Sequence, residues 1–183
     1  MTLTELLQNI DTLDSETKLT LNVLTRRSGA SVEDMAWYWS NPDNKKVCLE
    51  ESDILSLTPL ESLTQVDTLV LFKNRISDLA PLSKLENLRH LNLIDNNIKF
   101  LDSIVNLKLE ELYLGENLIS DVTPLAQITT LRMLGLKENQ IPDLTPLYSM
   151  TNLVQLNLSG NPVDPNEVLD LQGKLPGCKI IFE

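Results

Sequence analysis

One register of leucines and asparagines returns about every 22 residues through most of this chain, and few architectures can satisfy such a pattern. The frame is set by Leu69-x-Leu71-x-x-Asn74-x-Ile76-x-Asp78-Leu79-x-Pro81-Leu82. It recurs from Leu91 through Asn96 to Ile98, from Leu112 through Asn117 to Leu125, and from Leu134 through Asn139 to Leu147. A degenerate first copy runs from Val47 through Ser52 to Leu60, and a partial last copy is Leu156-x-Leu158-x-x-Asn161. The asparagine frame, at positions 52, 74, 96, 117, 139 and 161, advances by 22, 22, 21, 22 and 22 residues. The missing residue falls around Leu107-Lys108-Leu109, in the connection leading back to the next strand.

Each residue type in the frame has a physical task. The Leu-x-Leu pair has the period of two of a β-strand, so both leucines enter the core and the residue between them faces outward. The asparagine follows the strand, where its side chain can bond backbone groups left without a ladder partner. Asp78, Asp121 and Asp143 are suited to cap the short helical turn that follows. Pro81, Pro124 and Pro146 stand where a missing N–H does no harm. A single copy cannot bury its own apolar face, so neighbouring copies must stack.

This pattern resembles the 22-residue, internalin-type leucine-rich repeat of bacterial proteins over roughly residues 44–163. The resemblance implies a right-handed leucine-rich-repeat solenoid, of α/β class, with a parallel β-sheet on its concave face. It also implies a ligand-binding or adaptor role rather than an enzymatic one. The third copy departs from the frame: Phe100 replaces the aspartate and Ser103 the proline. Secreted internalins carry a signal peptide, whereas Met1-Thr-Leu-Thr-Glu5 has no basic stretch before an apolar one, so a host-invasion role is not carried over.

A stack of coils leaves raw core at both ends, and the flanks read as caps within one continuous domain. Residues 1–43 predict a helical cap, residues 44–163 six repeats, and residues 164–183 a helix–strand cap. In the first, Leu3, Leu6, Leu7, Ile10 and Leu13 form one helical stripe. A second helix is expected from Ser15 to about Arg27, with Leu19, Val23 and Leu24 inward and Gly29 past its end. A third is expected to open at Ser31, with Asp34 at capping-box spacing, and to carry Met35, Trp37, Tyr38 and Trp39. Three consecutive aromatics cannot all face inward, so at least one of them is expected to be exposed. Phe100 is expected at the repeat edge. At the far end, Asp164-Pro165 opens a helix through Val168, Leu169 and Leu171, and Lys179–Phe182 reads as a closing strand.

Segment 19–39 also resembles a helix-turn-helix DNA reader, with Gly29 in the turn. Its second helix would present Glu33 and Asp34 and no Lys or Arg, and residues 1–43 hold seven acids against three bases, so the cap reading is preferred. The chain as a whole has 26 acidic and 15 basic residues, a formal net charge of -11. That field repels phosphate backbones and anionic lipid and suits a protein partner of basic or mixed surface; neither a nucleic-acid nor a membrane partner is expected. No apolar run approaches the roughly 20 residues of a membrane span. Cys48 and Cys178 lie near opposite ends of the array, beyond disulfide reach, which fits a reduced, cytoplasmic monomer.

The positions that core packing does not dictate are those facing out of the sheet. They form four columns, with neighbours in a column about 4.8 Å apart. Val70, Phe72, Ile94, Tyr113 and Met133 form an apolar and aromatic patch at their centre, flanked by His90, Asn92, Asp95, Glu111, Lys137 and Asn157. An apolar patch with a polar rim marks an interaction surface, and these eleven residues are the expected partner-binding set. His90, the only histidine, is expected to be a contact residue or a pH-sensitive neighbour of Asp95. The stacked carboxylates Asp95, Glu116 and Glu138 fit an acidic stripe facing a basic partner better than a cation site. No nucleophile–histidine pair, phosphate loop or zinc-ligand spacing is found, so no cofactor or metal is expected. The expected function is a non-enzymatic protein-interaction module, acting as an adaptor or an inhibitor. The alternatives are a DNA-linked regulator using segment 19–39 and an effector delivered into host cells.

Overall fold

The computed structural model describes residues 2–29, 34, 37–39 and 41–183. Their centre is one sheet of seven parallel strands in sequence order: β1 (Lys46–Cys48), β2 (Thr68–Val70), β3 (His90–Asn92), β4 (Glu111–Tyr113), β5 (Met133–Gly135), β6 (Gln155–Asn157) and β7 (Lys179–Ile181). The register keeps the frame in phase, with Leu69 against Leu91, Leu91 against Leu112, Leu112 against Leu134 and Leu134 against Leu156. Between strands the chain returns through 3-10 turns, so each coil is a strand, a turn and a connection. The coils wind into the right-handed solenoid that the repeat implies, with the sheet on the concave side. The 21-residue interval is absorbed where expected: Ile104, Leu107 and Leu109 all remain buried, and β3 and β4 stay in register.

The asparagine frame forms a ladder inside the solenoid. Asn117 accepts from the Ile98 N–H (3.0 Å) and donates from Nδ2 to the carbonyls of Leu93 (2.9 Å), Leu114 (3.0 Å) and Gly115 (3.0 Å). Asn74, Asn96, Asn139 and Asn161 likewise each receive an N–H from the coil before and donate to carbonyls of both coils. All five are buried. A buried amide is tolerable because its donors and acceptor are engaged, and each one ties two coils together. Immediately before them, Lys73, Asp95, Glu116 and Glu138 adopt left-handed backbone at φ 52–56°. Their N–H groups still reach the next coil, as Glu116 does to the Lys137 carbonyl at 2.7 Å, so the ladder of hydrogen bonds holds the strained turn in place.

The three aspartates act as expected. Oδ1 of Asp78, Asp121 and Asp143 accepts the N–H two residues on, at 2.8 Å in each case, and so opens the turn. Those coils have five-residue turns, Ala80–Lys84, Thr123–Gln127 and Thr145–Ser149. The two coils without the aspartate, with Ser56 or Phe100 in its place, have three-residue turns, Thr58–Leu60 and Asp102–Ile104. Pro59 is present in the first of these, so turn length follows the aspartate rather than the proline.

At the N-terminal end, α1 (Leu3–Gln8) is shorter than the leucine stripe suggested. The chain breaks at Asn9 into a 3-10 turn over Ile10–Thr12, because Asn9 turns its amide back onto the Glu5 carbonyl (2.8 Å). α2 (Ser15–Ser28) is capped by Asp14, which accepts from the Thr17 N–H (2.8 Å) and hydroxyl (2.7 Å). It closes with Gly29 at φ 66°. The buried residues of α2 are Thr17, Thr20, Leu21, Val23 and Leu24, so Val23 and Leu24 lie inward as expected, Leu21 joins them and Leu19 is only half-buried. Leucine spacing alone misses Thr17 and Thr20 because they are polar. Thr20 satisfies its hydroxyl on the Ser56 carbonyl of the first coil at 2.8 Å. Ser31 and Met35 lie outside the described residues. Of the aromatics, Trp37 is exposed, Tyr38 half-buried and Trp39 buried, with the Tyr38 and Trp39 rings edge to face at 5.0 Å.

At the other end α3 (Pro165–Lys174), capped by Asp164, buries Leu171 and leaves Leu169 exposed. One hydrophobic core runs through the molecule, from Leu3 and Leu24 through every coil to Leu171 and Cys178. Cys48 and Cys178 are free thiols.

Candidate functional site on the concave sheet face

The sheet sends alternate side chains to opposite sides, so each leucine that enters the core sets the direction of its neighbours. Val70, Phe72, His90, Asn92, Ile94, Glu111, Tyr113, Met133 and Asn157 are all half-buried on the outward face, while Asp95 and Lys137 are exposed. Half-burial here comes from the neighbours above and below in each column. Phe72 lies beneath the Lys73 ammonium, 5.9 Å from the ring centre. Asn92 and Asn157 use their Oδ1 atoms locally, accepting from the Ile94 and Ser159 N–H groups at 3.1 Å each.

The histidine has a different neighbour from the one expected. His90 Nδ1 is 3.6 Å from Glu111 Oε1, whereas Asp95 belongs to the column at the far side of the face. Parallel register decides this, since His90 and Glu111 are paired residues of β3 and β4. The other Glu111 oxygen is 3.2 Å from the Tyr113 hydroxyl, which also points at the Met133 sulfur (3.7 Å). Burial, and then the Glu111 charge, hold the Tyr113 hydroxyl pKa above its usual value of 10.0. Tyr113 is thus an oriented ring, its hydroxyl held between Glu111 and Met133.

The acidic column is partly compensated. Glu51 pairs with Lys73 at 3.1 Å and Glu138 with Lys137 at 2.8 Å, whereas Asp95 and Glu116 make no ion pair among the described residues. No cluster of three or more His, Cys, Asp or Glu side chains that could hold a metal is found among the described residues. None of their helices is long and apolar enough to cross a membrane.

Two positions that the residue pattern did not single out shape the face most. Gly115 and Gly135 leave it without side chains at adjacent coils, opening a hollow of about 150 Å³ lined by Ile94, Tyr113, Glu116, Met133, Lys137 and Asn157 among others. A Cβ on Gly135 would stand 3.1 Å from Tyr113 Cδ1, so the ring lies across the place a side chain would take. The signal was in the columns, where glycine alone interrupts a run of larger residues.

Residues 129–173 match the family model described as leucine-rich repeats in two copies. A leucine-rich-repeat protein of Leptospira interrogans superposes with a TM-score of 0.69 at 29% identity, over 75% of this chain and 36% of that one. An internalin (inlF) of Listeria monocytogenes gives 0.69 at 26%, over 92% of this chain and 55% of its own length. Over residues 129–173 the repeats match leucine-rich repeats, and the array is similar to that of an internalin. A second Listeria internalin, C2, shares the fold at 19% identity and a TM-score of 0.52, over 89% of this chain and 92% of that one. The chain spans about a third and about half the length of the first two proteins it resembles. No curated protein sequence matches it.

Proposed function

We propose that the chain is a non-enzymatic protein-interaction module that holds a protein partner of basic or mixed surface on its concave face, and acts by occupying it, as an adaptor or an inhibitor does. The observation that supports this most is the run of half-buried apolar side chains, Val70, Phe72, Ile94, Tyr113 and Met133, on a face whose inward leucines already fill the core. Nothing in the packing of the solenoid calls for large apolar groups there. Apolar anchors rimmed by charge are what a partner-binding patch requires. The net charge of -11, with Asp95 and Glu116 making no ion pair among the described residues, favours a basic counterpart.

The test compares Phe72→Ala and Tyr113→Ala with the parent chain by calorimetry against a captured partner. Each is expected to weaken binding about tenfold or more, the effect of losing roughly 1.4 kcal/mol of anchor energy. Both variants should keep the parent's circular dichroism. Undiminished binding by both contradicts the assignment of the face.

A further inference from the structure

The hollow over Gly115 has a definite chemistry. Its floor is backbone: a Cβ on Gly115 would meet the Lys137 carbonyl oxygen at 3.3 Å, Lys137 Cβ at 3.7 Å and Ile94 Cγ1 at 3.8 Å. The walls are therefore aliphatic on the two sides along the column. Across the face, the fourth coil reads Glu111, Tyr113, Gly115, Glu116, an empty place beside a fixed ring with a carboxylate at each end of the row. Of the charges around it, Lys137 is engaged by Glu138 at 2.8 Å and Glu111 by the Tyr113 hydroxyl, while Glu116 at the rim makes no ion pair among the described residues. An apolar throat, an aromatic ring and, at the outer edge, a carboxylate that Lys137 reaches only at a distance complement a long aliphatic stem that ends in a planar cation.

We propose that the Gly115 hollow is the specificity subsite of the concave face and takes one arginine side chain of the bound protein, its stem between Ile94 and Lys137 Cβ and its guanidinium between the Tyr113 ring and Glu116. The inference rests on the concave-face reading and adds to it the chemistry of one contact. Arginine is preferred to lysine because a guanidinium stacks on a ring and forks onto a carboxylate at once, which an ammonium cannot do.

The probes are capped tripeptides, acetyl-Gly-X-Gly-amide, titrated into the ¹⁵N-labelled full chain with X as arginine, citrulline, norleucine or glutamate. The arginine peptide is expected to give saturable amide shifts centred on Gly115, Glu116 and Gly135. The uncharged citrulline peptide should bind at least about fivefold more weakly, as removal of a charge-assisted contact requires. Gly115→Val, which fills the hollow, should abolish the shifts. If that variant does not keep a folded spectrum, Glu116→Gln serves instead and should reduce arginine binding to the citrulline level. Norleucine binding as tightly as arginine, glutamate binding more tightly, or an unchanged arginine titration in the folded variant each overturns the proposal. If the arginine subsite fails while Phe72→Ala and Tyr113→Ala still weaken partner binding, the fault lies with the subsite alone. If those two variants bind normally, the concave-face reading itself fails.

Discussion

At the scale of single residues the molecule depends on amides that serve two coils at once. Asn117→Ala removes one acceptor and three donor contacts from a buried position and leaves the Ile98 N–H unpaired, while the Leu93 carbonyl keeps only the Asn96 amide. A loss of about 1–3 kcal/mol is expected in urea unfolding, because a stranded polar group in a core carries its full desolvation penalty. Asn117→Asp, which keeps the shape but cannot donate, should be at least as damaging at neutral pH. The capping aspartates act in the opposite electrostatic direction. The Thr123 hydroxyl and then its N–H hold the Asp121 carboxyl below its usual 3.8, and Thr145 does the same for Asp143. A folded-state pKa below the unfolded one contributes stability that is present above about 3.8 and lost as pH falls through the lower folded value. The stability difference between the parent and Asp121→Asn should therefore be constant from pH 7 to 5 and shrink below about pH 4. A difference that grows on acidification contradicts this role. These functions were legible in the sequence because Leu, Asn and Asp recur in phase. The left-handed backbone at Lys73, Asp95, Glu116 and Glu138 was not, because charged residues stand where glycine or asparagine would have announced it.

At the scale of elements, the aspartate decides how far each turn runs. The third coil, with Phe100 exposed to 75% in the aspartate's place, has only the Asp102–Ile104 turn. Phe100→Asp should lengthen that turn and stabilise the chain by about 0.5–1 kcal/mol, in the range of a restored cap, with no loss of core contact. A lower urea midpoint than the parent's counts against the link between aspartate and turn length. The strands were readable from a period of two. The α1 helix was less so, because an apolar stripe of five residues does not reveal that Asn9 closes the helix early. α2 was placed to within a residue of its end, with Gly29 marking the stop. Of its expected inward residues Val23 and Leu24 are buried, whereas Thr17 and Thr20, which pack inward with their hydroxyls satisfied, went unread. Propensity and capping fix where an element starts and stops, whereas the element it packs on fixes which face it buries.

At the scale of the whole molecule, the core is a filament of leucine with an outward face that packing leaves unspecified. The sequence could name the columns of that face because register carries them from coil to coil. It could not show that Glu111 turns to His90 and Tyr113 at the same time, nor that two absent side chains make the hollow, since both depend on how neighbours lean across the sheet. A net charge of -11 predicts that partner binding weakens as salt rises, mainly through slower association. The most direct test of the central claim is site-specific photocrosslinking. A photoreactive phenylalanine analogue is placed at Phe72 or Tyr113 on the sheet face, and at Phe100 or Leu169 away from it, in the presence of a partner. Crosslinks from the first pair and none from the second are predicted; crosslinks from Phe100 or Leu169 with none from Phe72 or Tyr113 contradict a concave binding face.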